Sequence, residues 1–253
     1  MRIAAVQHDI AWEDAAATRA SLEPRIATAA ATGARLVSLT EMFPTGFSMA
    51  TERTAEAPDG PTTTWMVEQA AKHDIWLAGS LAELAPGAQR PSNTFRLVAP
   101  DGAVHRYAKI HPFTYAGEDE YFAPGDGTVT IEVEGLRITP LICYDLRFAD
   151  VFWDAAGDTD AYLVVANWPA ARRDHWRVLL DARAVENQAY VVGVNRVGHG
   201  GNGLDYAGDS RIVAPDGEAL ATAARDETIL LADLDPATVR RVREDYPFLR
   251  DRR

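Results

Sequence analysis

A chain of 253 residues, 47% hydrophobic and 25% charged, is long enough for a large core and has the composition of a globular protein. Its 37 acidic residues against 25 lysines and arginines give a formal charge of −12, which excludes a broad nucleic-acid or anionic-membrane footprint but not a local arginine cluster. No apolar run reaches the roughly 18–20 residues of a membrane span, and one cysteine, Cys143, cannot form an internal disulfide, so a cytoplasmic setting is expected.

RIAAVQ (Arg2–Gln7) reads as a buried first strand, without the longer apolar region and small-residue cleavage site of a signal peptide. The helical pattern from Glu13 predicts a helix that kinks near Pro24 and stops at Gly33. RLVSLT (Arg35–Thr40) is a strand, GPTTTWMVEQAAKH a helix with Pro61 early and Thr62 or Thr63 as cap, and IWLAGSLAEL the next strand. SNTFRLVAPDGAVHRYAKI reads as two strands joined at Pro100-Asp101-Gly102, and VTIEVEGLRITPLIC as two more joined at Glu134-Gly135. RFADVFWDAAG predicts a helix ending at Gly157, followed by the strand AYLVVANW, the helix ARRDHWRVLLDARAVENQA and the strand YVVGVNRV. The Gly-rich stretch Gly198–Gly208 lacks a phosphate-loop spacing and reads as a surface loop near a site. YAGDSRIVAPDGEAL is a hairpin turning at Pro215-Asp216-Gly217, TILLADLD a strand, and PATVRRVRED a last helix with Pro236 at its first position.

Hairpins interspersed among alternating helices and strands exclude a purely parallel barrel. Mixed sheets, each covered by helices on one face and packed together through the other, fit the pattern. With no repeat or linker, the chain reads as one domain over residues 1–253.

Cys143 ends the strand-like run RITPLIC and is followed at once by polar and aromatic residues. Taken alone, a lone cysteine is a buried core thiol. At a strand end it can also be a nucleophile, with the turn supplying backbone N–H groups for an oxyanion. None of the six histidines sits in a recognisable cysteine-protease context, so another base is needed. Glu41 and Lys109 close two other strand runs, and the three would converge on one edge of a sheet. Glu41 would be the general base, Lys109 would stabilise thiolate and oxyanion, and the Tyr144 backbone N–H would be a second oxyanion donor.

LVSLTEMFPTGF around Glu41, YAKIHPF around Lys109 and LICYDLRF around Cys143 resemble the motifs of the nitrilase superfamily of carbon–nitrogen hydrolases, and the resemblance covers nearly the whole chain. It implies an α/β fold, a four-layer αββα sandwich of two mixed sheets packed face to face with outer helices. It also implies a homodimer, no cofactor and no metal. A second glutamate near the lysine is implied, matched best by Glu118 with Glu120 behind it, to orient Lys109 and assist proton transfer to the leaving ammonia. CYDLRFADVFW and NWPAARRDHW look most like the ω-amidases, which hydrolyse the terminal amide of 2-oxo acid amides such as 2-oxoglutaramate and 2-oxosuccinamate. Deaminated-glutathione amidase, N-carbamoyl amide hydrolase and a catalytically silent binding protein are the alternatives. A small carboxylated amide and water would be the partners, with neither nucleic acid nor membrane. For the carboxylate, Arg147 is the first candidate, with Arg172 and Arg173 behind it; Arg147 could instead pair with Asp145. Trp168, Phe47, Phe113 and Tyr115 are pocket wall or core, and Asn167 could bind substrate through side chain or backbone. Arg183 and Glu186, three apart on a helix, read as a structural ion pair.

Overall fold

The computed structural model describes residues 1–252. Strand β1 (Arg2–Gln7) is followed by α1 (Ala15–Ala31), β2 (Leu36–Ser38), the short α2 (Thr51–Thr54), α3 (Pro61–His73), β3 (Trp76–Glu83), β4 (Ser92–Val98) and β5 (Val104–Ala108). After the short α4 (Glu118–Tyr121) come β6 (Ile131–Val133), β7 (Leu136–Ile142), α5 (Ala149–Ala155), β8 (Ala161–Ala166), α6 (Arg173–Asn187) and β9 (Tyr190–Asn195). The chain continues through β10 (Val197–His199), β11 (Asp205–Ala207), β12 (Arg211–Val213), β13 (Ala219–Thr222), β14 (Thr228–Asp233) and α7 (Pro236–Asp245).

The strands form two six-stranded sheets, ordered β14-β1-β2-β3-β4-β5 and β13-β12-β9-β8-β7-β6, and a separate ribbon of β10 and β11. Both sheets are mixed. In the first, β1, β2 and β3 run parallel while β3, β4 and β5 are antiparallel neighbours. In the second, β7, β8 and β9 run parallel, and β6 and β12 pair antiparallel at either side.

The alternation of side chains along β1 explains the layering. Ile3 and Ala5 belong to the core between the sheets, with Leu36, Phe95 and Leu97 on one side and Ile138, Leu163 and Val165 on the other. Ala4 and Val6 point the opposite way, into a second core where Leu22 and Ile26 of α1 and Met66 and Ala70 of α3 cover the first sheet. Helix α6 covers the second sheet with Trp176, Leu180 and Ala184. It lies so close to β9 that a Cβ on Gly193 would stand 2.4 Å from the Leu180 side chain. The result is the expected αββα sandwich.

Two details differ from expectation, the cap of the α3 helix and the start of the last hairpin. Helix α3 takes Gly60 as N-cap, and neither Thr62 nor Thr63 caps it through its side chain. Instead the Glu56 carboxylate accepts from the Thr62 backbone N–H at 2.7 Å and its hydroxyl at 2.6 Å. Helix α1 is one element with Pro24 inside it and ends just before Gly33, where the sequence places its stop. Tyr206 and Ala207 belong to the β10–β11 ribbon, so the hairpin around Pro215-Asp216-Gly217 begins only at Arg211.

Candidate active site

Glu41 follows β2 and Lys109 follows β5, both in the first sheet, whereas Cys143 follows β7 in the second. The three therefore do not share one sheet edge, as the sequence suggested. They meet because the two sheets stack and bring their strand ends to the same end of the sandwich.

Cys143 opens a 3₁₀ turn over Cys143–Arg147 with φ of +45°, a left-handed conformation uncommon outside glycine. Such strained strand-to-helix turns lift a side chain clear of the sheet. Asp145 braces the turn. Its fully buried carboxylate accepts from the Ile142 backbone N–H at 3.0 Å, the Tyr107 hydroxyl at 2.7 Å and the His111 backbone N–H at 3.0 Å. His111 Nδ1 lies 3.1 Å from the same carboxylate, and its ring stacks on Phe148 at 3.6 Å. From behind, Arg183 of α6 donates through Nε and Nη2 to the Leu146 carbonyl at 3.2 and 3.0 Å. Arg183 also pairs with Glu186 at 2.7 Å, so the ion pair exists and additionally grips the cysteine turn.

Below Cys143 lies a buried charge cluster. Lys109 Nζ donates to Glu41 Oε1 at 2.9 Å and to Glu118 at 2.8 and 3.1 Å, and all three side chains are almost completely buried. Asn93 ties the carboxylates together, its Nδ2 donating to Glu41 at 2.8 Å and to Glu118 at 3.2 Å. Its Oδ1 accepts from Ser80 Oγ at 2.9 Å. Glu118 also accepts the Phe113 backbone N–H at 2.5 Å, whereas Glu120 is exposed. Glu41 Oε2 accepts the Asn167 backbone N–H at 2.7 Å, and Asn167 Nδ2 donates to the Glu41 carbonyl at 2.6 Å.

These surroundings set the protonation states. Burial alone would lower the Lys109 pKa, but the charges of Glu118, Glu41 and Cys143 outweigh it and hold the ammonium well above its usual value. Burial pushes Glu118 up, the Lys109 charge opposes, and the Glu41 charge adds to the rise. Burial also pushes the Cys143 thiol well up, and hydrogen-bonded Glu41 adds to this against the pull of Lys109. The resting thiol is thus protonated, with a carboxylate placed to take its proton.

A cavity of about 240 Å³ opens above Cys143. Phe47, Phe113, Tyr144 and Trp168 line it with Arg147, Asn167 and Arg172. Tyr115 does not; it is 86% exposed and leans on the outside of Phe113. Arg147 does not pair with Asp145, whose oxygens are already taken; its guanidinium lies 4.8 Å over the Trp168 ring and donates to His175 Nδ1 at 3.2 Å. Arg173 is turned away and held bidentate by Asp209 at 2.7 and 2.8 Å. The Asn167 backbone N–H and one Nδ2 proton go to Glu41, and its Oδ1 is buried without a partner among the described residues. The Gly198–Gly208 stretch is not a plain loop but the β10–β11 ribbon, and Asn202, Leu204 and Tyr206 form one cavity wall. No group of three or more His, Cys, Asp or Glu among the described residues is disposed to hold a metal.

Sequence reasoning missed Asn93, Ser80 and Asp145. The only trace of Asn93 was a polar residue inside the run SNTFRLV, which reads equally well as a strand's solvated face.

A family profile described as carbon-nitrogen hydrolase matches residues 2–244. The chain is 41% identical over 252 residues to an ω-amidase, YafV, of Escherichia coli strain K12, covering 99% of this chain and 96% of that protein. It is 33% identical over 227 residues to a 2-oxoglutaramate amidase of Bacillus subtilis strain 168, covering 86% and 85%. Among solved structures it resembles XC1258 of Xanthomonas campestris, described as a CN-hydrolase superfamily protein, with a TM-score of 0.95 and 35% identity over 100% of this chain and 97% of that one.

Proposed function

The chain belongs to the carbon–nitrogen hydrolase family, and from that premise we propose that it is an ω-amidase, cleaving the terminal amide of small carboxylated amides of the 2-oxoglutaramate or 2-oxosuccinamate type. The observation that carries the reading is a thiol beside a buried Glu41–Lys109–Glu118 cluster, beneath a cavity whose charged lining residues are arginines. The relatives named ω-amidase and 2-oxoglutaramate amidase support the substrate class.

Glu41 takes the thiol proton as Cys143 attacks the amide carbon. The charge that develops on the carbonyl oxygen is met by Lys109 and the Tyr144 backbone N–H. Collapse of the tetrahedral adduct breaks the C–N bond, and the nitrogen receives the proton held on Glu41 and leaves as ammonia. Glu118 orients Lys109 and assists that transfer. Water, deprotonated by Glu41, then attacks the thioester, and the carboxylic acid and the free thiol are released. Asn167 holds Glu41 in place through its backbone N–H and side-chain amide, Arg147 binds the substrate carboxylate, and Trp168 and Phe113 enclose the chain between. No cofactor enters this scheme. The same reading makes the protein a cytoplasmic homodimer.

The test is ammonia release from 2-oxoglutaramate, glutamine, a deaminated tripeptide amide, an N-carbamoyl amino acid and an aliphatic nitrile, with wild type and Cys143→Ala. We expect strong turnover of 2-oxoglutaramate that Cys143→Ala abolishes while the circular dichroism spectrum is unchanged. Ammonia release by Cys143→Ala would remove the nucleophile assignment. Turnover of another panel member alone would keep the chemistry and replace the substrate.

A further inference from the structure

In a chain of formal charge −12, the cavity above Cys143 is a positive enclave. Arg147 and Arg172 line it, and no aspartate or glutamate does among the described residues. Neither guanidinium has a carboxylate partner there, in contrast to Arg173, the next residue along, which Asp209 holds bidentate.

The two arginines are held differently. Arg147 lies over Trp168 and is further oriented by His175. Arg172 lies 5.4 Å over the Phe113 ring, and its guanidinium makes no hydrogen bond among the described residues. Its main chain is nonetheless anchored, because its carbonyl accepts the Trp168 indole N–H at 2.8 Å. A positive charge with unspent N–H donors, carried on an anchored main chain, therefore stands in the cavity wall beside the group assigned to the carboxylate.

We propose that Arg172 is a specificity residue, selecting amides that carry an oxygen on the carbon next to the carboxylate and rejecting those that carry an ammonium there. The inference rests on the ω-amidase reading. A 2-oxo oxygen accepts from a guanidinium N–H. An ammonium at the same carbon would set donor against donor and charge against like charge, with no acidic side chain in the wall to offset it. Partial enclosure between aromatic rings weakens solvent screening of that repulsion.

The experiment compares kcat/KM for 2-oxoglutaramate, glutamine and glutarate monoamide, which has neither group, in wild type, Arg172→Gln, Arg172→Lys and Arg172→Glu. Wild type should prefer the 2-oxo amide and accept glutamine least. Arg172→Gln should lower the preference for 2-oxoglutaramate over glutamine by about tenfold or more while leaving glutarate monoamide within about threefold. Arg172→Glu should lower it further, and Arg172→Lys, which keeps the charge, should retain the wild-type order. An unchanged preference in Arg172→Gln would overturn the inference, as would Arg172→Lys behaving like Arg172→Gln. Equal loss on all three amides would also overturn it, because Arg172 would then be the carboxylate anchor. Failure of wild type to turn over any of the three would instead remove the ω-amidase reading, and this inference with it.

Discussion

Asn93 shows how much of the site rests on a side chain with no chemistry of its own. Its amide donates to both buried carboxylates while its oxygen is held by Ser80. Truncation leaves Glu41, Glu118 and Ser80 each short of a partner inside the protein, where an unsatisfied polar group costs about 1–3 kcal/mol. Asn93→Ala is therefore expected to lower the unfolding free energy obtained from urea titration by that order and to reduce kcat more than it raises KM, since the carboxylates lose their spacing but the cavity keeps its walls. A variant with wild-type kcat would show that Lys109 alone orients the carboxylates. Glu41, Lys109 and Cys143 were legible because each closes an apolar run, where a change from apolar to charged or reactive residue is visible. Asn93 was not, because its importance arises from two chain segments, around Glu41 and Glu118, that meet it only on folding.

At the scale of elements, the Pro124-Gly125 turn runs hard against the end of β5. Gly125 N–H donates to the Lys109 carbonyl at 2.8 Å, and a Cβ on Gly125 would stand 2.2 Å from the Ala108 carbonyl oxygen. Backbone cannot yield as a flexible side chain does, so Gly125→Ala must push the turn away from the strand that delivers Lys109. We expect a loss of more than about 2 kcal/mol together with lower activity. Gly127→Ala, where an added Cβ meets nothing within 4 Å, should stay within about 0.5 kcal/mol. Thermal unfolding of the pair decides the matter, and equal Tm values would refute the close-approach argument. The longer strands and helices were legible because their periodicity spans several residues. The ribbon of β10 and β11 was not, because three-residue strands carry too short an alternation to be distinguished from a loop. The caps of α3 differed for a related reason, since Glu56 reaches the helix start from outside it.

At the scale of the whole molecule, His8 links stability to pH. It is completely buried just past β1, with Nδ1 donating to the Asp9 carbonyl at 2.8 Å and Nε2 accepting from the Thr40 hydroxyl at 3.2 Å. Burial, with smaller contributions from the nearby Arg196 and Arg25 charges, depresses its pKa from 6.5 to about 4. The unfolded chain therefore binds a proton at a higher pH than the folded one. The stability this neutral histidine contributes is present above pH 6.5 and fades as pH falls towards about 4, by about 2 kcal/mol between pH 7 and pH 5. Urea unfolding of His8→Gln at the two pH values should show a smaller pH-dependent loss than wild type. Equal losses would mean that other groups carry the acid sensitivity.

Much of this protein was determined by the sequence itself. The order of strands and helices, the mixed sheets and the αββα layering follow from periodicity, turn chemistry and the three motifs, because each is written within a few consecutive residues. The tertiary structure alone decided what surrounds those residues. Stacking two sheets, not aligning one edge, brings Glu41 and Lys109 to Cys143. Folding also separates arginines that look alike in sequence, burying Arg183 behind the cysteine turn and binding Arg173 to Asp209, while Arg147 and Arg172 are left facing the cavity. Charge and residue type are local properties of the chain. Which partner neutralises a charge depends on segments far apart in sequence, and only their packing settles it.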